Sequence, residues 1–208
     1  MGILERMIDD LLDEESARRH LGPHLQAMRD CVEKGWRQWR QNVAESPSLA
    51  KSRTSTRANV VYDHISGLLE EYFDSVGVPT TRKGGYLTAV LADGQIAVRS
   101  KKFNHPRRLT TSGVPTAQRR AIVNQQVTLD GAAVTFVNVG YYPDDLGLDL
   151  DVVAISCTYG NSLLWSIDLL AEEAITAAIP ISHADGLLDV PVVRSTRAGA
   201  TKEKSEAQ

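Results

Sequence analysis

The sequence predicts an α+β fold: a mostly antiparallel meander sheet of about six strands, covered by one helix and preceded by an N-terminal helical hairpin. Three observations carry this expectation. Apolar residues recur at helical spacing up to Val76. Two Asp-Gly dipeptides, Asp93-Gly94 and Asp130-Gly131, stand between runs of high strand propensity and supply the positive φ angles of tight hairpin turns. From Val127 onward, short β-branched and aromatic runs alternate with turn residues, the pattern of a meander.

In the first helical pattern, residues 3–21, Ile3, Leu4, Met7, Ile8, Leu11 and Leu12 fall on one face. Gly22-Pro23 interrupts it, and Pro23 suits the first turn of the next helix. That helix, over 24–43, carries Leu25, Met28, Val32, Trp36, Trp39 and Val43. Trp36 and Trp39, interleaved with Arg37 and Arg40, read either as one apolar helix face with an exposed arginine face or as a partner or assembly surface, through which a homo-oligomer is possible. Residues 46–56, SPSLAKSRTST, have no periodicity and are expected to be a linker. The organisation predicted is therefore a helical region over 1–45, the linker, an α+β domain over 57–179, and an extended, partly disordered tail over 180–208.

The third helix is expected from Thr56, as N-cap, to Val76, ending at Gly77. The hairpin Gly84–Phe103 follows. Its second strand alternates apolar and basic residues, so one face enters a core while Arg99 and Lys101 project from the other. Thr116 is expected to cap a short helix running to Gln126. Strands are then expected at Val127–Leu129, Ala132–Val139, Leu150–Cys157 and Ser162–Leu169, with a short helix over 170–179.

Charge bounds the function. The 208 residues carry a net charge of −3, so bulk charge argues against general nucleic-acid affinity and any such role needs a local patch. One exists. Arg99, Lys101, Lys102, Arg107, Arg108, Arg119 and Arg120 follow one another with no acidic residue between them. Clustered cations of this kind suit phosphate oxygens or an acidic partner surface. The carboxylates Asp63, Glu70, Glu71 and Asp74 on the third helix, ahead of a hairpin, are also what a metal-dependent nuclease uses. Such an enzyme needs an acid-x-Lys pair on the strand, where this chain has Arg99-Ser100-Lys101. A degenerate nuclease is therefore the third reading, and no catalytic residue is nominated. Asp144, Asp145, Asp149 and Asp151 lack the EF-hand spacing, so no metal site is assigned. Absence of Walker, GxGxxG and GxSxG motifs leaves no cofactor expected. Cys31 and Cys157, far apart and outside any CxxC, are expected to be buried thiols. No apolar run reaches about 18 residues and the N-terminus lacks a basic leader, so no membrane partner is expected and the chain reads as cytoplasmic.

Arg57-Ala58, Val98-Arg99-Ser100-Lys101-Lys102-Phe103, Pro115-Thr116, the helix ending at Gln125, Gly140-Tyr141 and Trp165-Ser166-Ile167 together resemble an uncharacterised family of bacterial and phage proteins. Its members are often encoded beside Xre-type regulators that carry an ImmA/IrrE-type metallopeptidase domain. Ser100 departs from the pattern, standing where relatives carry an apolar or aromatic residue. The resemblance implies a two-gene toxin–antitoxin or prophage regulatory module, with this chain as a non-enzymatic toxin or effector half that docks a cognate protein partner. The alternative is a nucleic-acid-binding module that uses the Arg99–Arg120 cations.

Overall fold

The computed structural model describes residues 10–113, 116–126, 128–129 and 132–171. The expected strand-to-strand turn at Asp130-Gly131, residues 172–179 of the short helix expected over 170–179, the tail over 180–208 and the start of the first helical pattern lie outside these residues. The described residues form an α+β unit with a six-stranded mixed sheet.

Helix α1 spans Glu14–Leu21, shorter than the pattern implied. Asp13 sets its start, since its carboxylate accepts a 2.8 Å hydrogen bond from the Ser16 amide. Leu12 lies ahead of the helix. Its N–H donates to Thr135 Oγ1 at 3.0 Å and its carbonyl accepts from Trp165 Nε1 at 2.9 Å, which straps the chain across the sheet. A 3₁₀ turn at Gly22–His24 leads into α2, Leu25–Glu45. Within the expected linker over 46–56 the chain makes a 3₁₀ turn at Pro47–Lys51, and α3 begins at Thr54 and runs to Ser75. Helices α2 and α3 cross where Gly35 meets Ile65, so closely that a Cβ at Gly35 would stand 3.0 Å from the Ile65 backbone nitrogen.

The sheet strands are β1 (Thr80–Lys83), β2 (Tyr86–Leu91), β3 (Ile96–Lys102), β6 (Thr135–Pro143), β7 (Leu150–Tyr159) and β8 (Ser162–Asp168), in that spatial order. The β2–β3 hairpin turns at Asp93-Gly94 as expected, with Ala92, Asp93 and Gly94 all at positive φ. Two strands, β4 (Thr128–Leu129) and β5 (Ala132–Ala133), pair only with each other in a separate two-stranded sheet. The expected six-stranded meander is thus corrected in membership and direction. Strand β1 joins the edge, Thr128–Leu129 stands outside the main sheet, and β3 pairs with β6 in parallel. The sequential-neighbour rule fails there because the segment 103–134 crosses one face of the sheet before the chain re-enters it, and a crossover returns a strand in parallel.

One sheet face is buried under three helices, not one. Val98, Val139, Tyr141, Ile155 and Ile167 share a single core with Leu21, Met28, Val32, Ile65, Leu69 and Phe73. Burial of each such side chain contributes roughly 1.5–3 kcal/mol. Trp36 and Trp39 are part of this core, 3% and 4% exposed, and Trp36 lies against the Tyr141 ring at 5.7 Å between centroids. Trp36 and Trp39 are thus an apolar helix face turned to the core, and the alternative of a partner or assembly surface is corrected, because the buried rings offer no docking surface. Cys31 and Cys157 are buried free thiols, as expected, with burial pushing their pKa values up to about 11 and about 12. Among the described residues no helix is long and apolar enough to cross a membrane.

The opposite face, where Gly140 lies beside Phe103, is crossed by residues 103–113 and 116–126. A Cβ at Gly140 would collide with the Lys101 carbonyl and come within 2.8 Å of the Phe103 ring. Gly140→Ala and Gly35→Ala are each expected to destabilise the protein by about 1–3 kcal/mol through overpacking. Gly67→Ala, in α3 with nothing within 4 Å of the added carbon, is expected to stabilise it by about 0.5–1 kcal/mol. Urea unfolding of the three variants checks both signs.

Candidate functional site

Strand alternation decides which cations can meet. Along β3, Ile96 and Val98 point to the helical core, so Ala97, Arg99 and Lys101 point to the other face. The β2 register sets Tyr86 and Thr88 on that face, and the parallel β6 register sets Phe136 beside Ala97 and Asn138 beside Arg99.

Helix α4, Ala117–Val123, roofs this surface. Thr116 caps it as the sequence predicts, its hydroxyl accepting from the Arg119 amide at 3.1 Å. Ile122 packs on Ala97, Val134 and Phe136. The decisive anchor is Gln125, 7% exposed and at φ +53°. Its side-chain amide substitutes for a peptide unit where β6 and β7 part. Oε1 accepts from the Phe136 N–H at 2.7 Å, while Nε2 donates to the carbonyls of Phe136 at 2.9 Å and Thr158 at 3.0 Å. The Gly160 amide adds a bond to the Val123 carbonyl at 2.9 Å. A second support is the turn after β3. Phe103 bridges to Thr111, and Ser156 Oγ donates to the Leu109 carbonyl at 3.3 Å.

Between roof and sheet lies a cavity of about 110 Å³ that collects Arg99, Lys101 and Arg119. Its other walls are neutral: Asn138, Thr158 and Tyr86 are polar, Phe136 and Ile122 apolar, and no carboxylate lines it. Arg99 is held by a 2.8 Å bond from Nε to Thr88 Oγ1 and lies 5.7 Å from the Phe136 ring centroid. Arg119 donates from Nη2 to the Thr111 carbonyl at 2.7 Å. Lys101 Nζ sits 4.0 Å from the Tyr86 ring centroid and 5.8 Å from that of Tyr62, a cation–π arrangement worth about 0.5–2 kcal/mol. Burial, reinforced by the charges of Arg99 and Arg119, lowers the Lys101 pKa to about 8, and burial also lowers that of Arg99.

A second groove, about 510 Å³, adjoins the cavity through shared residues Tyr86, Lys101 and Gly113. Tyr62, Asn59 and Lys102 also line it. The Tyr62 hydroxyl fixes α3 to the β1–β2 turn, accepting from the Leu87 N–H at 2.8 Å and donating to the Gly85 carbonyl at 3.2 Å.

Of the seven expected cations, the structure gathers three in the cavity and adds Lys102 at the groove. Lys102 lies on the helical side of β3, its pKa lowered by burial and by nearby Arg57. Arg107 and Arg108 are exposed on the turn after β3, their amides donating to His105 Nδ1, and Arg120 is exposed on α4. These three do not line the cavity. Sequence reasoning missed Gln125 and Tyr86. Gln125 was legible only as the end of a helix, because its partners are backbone atoms of distant strands. Tyr86 was legible only as a strand residue of the hairpin. Among the described residues no group of three His, Cys, Asp or Glu side chains could hold a metal ion.

The fold and cleft together define an α+β protein that gathers cations on the second face of a mixed sheet. The chain matches no protein-family model, and no curated protein and no solved structure is significantly similar to it.

Gln125→Leu is expected to lower stability by about 1–3 kcal/mol, because the Phe136 N–H is left buried without a partner. Chemical denaturation reads this loss. Lys101 gives a pH signature. Its folded pKa lies below the ordinary 10.5, so from about 8 to 10.5 the unfolded chain binds more protons and stability rises with pH. Cys31 and Cys157 oppose this above their ordinary 9.0, because their pKa values are raised in the fold. The expected rise is therefore the difference between wild type and Lys101→Met in thermal melts across that window.

Proposed function

We propose that this chain is a binding module that takes the backbone of a single-stranded nucleic acid into the Arg99–Lys101–Arg119 cleft. One observation carries the reading: three cations converge in a concavity that holds no carboxylate. Such cations are left for a ligand to neutralise, and phosphate oxygens accept from guanidinium and ammonium groups with charge assistance. Tyr86, 42% exposed beside the cavity, adds an aromatic surface of the type that single-strand binders use. Arg107, Arg108 and Arg120, exposed nearby in sequence, supply further backbone contacts. A nuclease reading requires acids beside Lys101, and the cavity offers none.

The second reading is docking of a cognate protein, as the effector half of a two-gene module. It is supported by Leu146 and Leu148, 78% and 54% exposed on the loop after β6.

Fluorescence anisotropy with a labelled single-stranded oligonucleotide tests the first reading. Binding is expected to weaken steeply with salt. Arg119→Gln is expected to lower the slope of log affinity against log salt by about 0.7, the increment for one lost phosphate contact on a single strand. Salt-independent binding, or no binding, defeats the nucleic-acid reading. Loss of a co-expressed partner on Leu146→Ser with Leu148→Ser would support the protein reading instead.

A further inference from the structure

The cleft is more selective than a cationic stripe. Arg99 approaches from the sheet floor, Lys101 from the end of the same strand and Arg119 from the roof helix, so the cations surround one space rather than track a line. An internal phosphodiester brings one negative charge into that space, where three half-buried positive charges meet. A phosphate monoester brings about −1.5 to −2 at pH 7 and three terminal oxygens. In a partly desolvated site the better charge match governs, because each uncompensated charge keeps its desolvation cost. Geometry agrees. The cavity of about 110 Å³ suits a compact head group, and the groove of about 510 Å³ that shares Tyr86, Lys101 and Gly113 with it leaves room for an attached nucleoside.

We infer that the Arg99–Lys101–Arg119 cavity binds a terminal phosphate monoester, with the attached nucleoside lying in the adjoining groove beside Tyr62 and Tyr86. This rests on the nucleic-acid reading and sharpens it from backbone to strand end. A free nucleotide presents the same chemistry, and the experiment separates the two sources.

Lys101 is the titrating member of the site. The groups facing it are Arg99 on its own strand, Arg119 from α4, Tyr86 from β2 and Tyr62 from α3. Monoester affinity is therefore expected to have two limbs. It rises with pH through about 6, as the second phosphate proton leaves. It falls above about 8, as Lys101 loses its proton. A phosphodiester has no acid limb.

The test is calorimetry of the full chain at fixed ionic strength with four probes: inorganic phosphate, a nucleoside 5′-monophosphate, and one oligonucleotide with a 5′-phosphate or a 5′-hydroxyl. The phosphorylated strand is expected to bind at least tenfold more tightly than the hydroxyl strand, with both limbs present. Lys101→Met is expected to abolish the alkaline limb and leave the acid limb. Arg107→Ala with Arg108→Ala, outside the cavity, is expected to weaken both strands equally and preserve their ratio. Equal binding of the two strands overturns the monoester assignment and leaves the strand reading standing. Binding of the mononucleotide alone supports the assignment and overturns the strand reading. Failure of all four probes overturns both.

Discussion

The parallel pairing of β3 with β6 is the constraint on which the rest of the structure depends. An antiparallel hairpin in that place would have kept the chain at the sheet margin. A parallel partner obliges the segment 103–134 to travel across the open face and return to the same end. That path carries Leu109, Arg119 and Gln125 over the sheet and so makes the cleft. Gly140 permits it. The ring of Phe103 occupies the place of a side chain, and the Lys101 backbone comes too close for any other residue.

The site's electrostatics follow from the same path. Cations on an exposed strand would be screened by water and cost little. Under a roof helix, Arg99 and Lys101 lose solvent and have no acid to replace it, and Lys101 becomes easier to deprotonate. The four ion pairs found among the described residues, Arg18–Glu14, Arg19–Glu15, Arg29–Glu33 and Arg82–Glu70, all lie elsewhere. The carboxylates of these pairs all stand on helices, apart from Arg99 and Lys101. Ser100, between Arg99 and Lys101, turns the other way and has its hydroxyl buried without a partner.

Much of the fold was legible because local signals coincide with tertiary needs. The hairpin at Asp93-Gly94, the Thr116 cap and the interruption at Gly22-Pro23 are written in short-range chemistry, and each stands where the residues place it. What escaped is non-local. Nothing near β3 announces that its neighbour lies beyond a crossover. Periodicity put Trp36 and Trp39 on one helix face but could not say whether that face meets solvent or a sheet. The charge run from Arg99 to Arg120 was visible as a run, yet only strand parity separates Arg99 and Lys101 from Lys102, and only the roof brings Arg119 back to them.

The separation of β3 from β6 along the chain also orders events during synthesis. Helices α2 and α3 and the hairpin of β2 and β3 emerge from the ribosome with their local partners in hand. The strand that completes the sheet centre arrives later, and closing so long a loop is slow compared with turning a hairpin. Until then Arg99 and Lys101 remain hydrated, and the nascent chain carries its cations without a chamber to hold them.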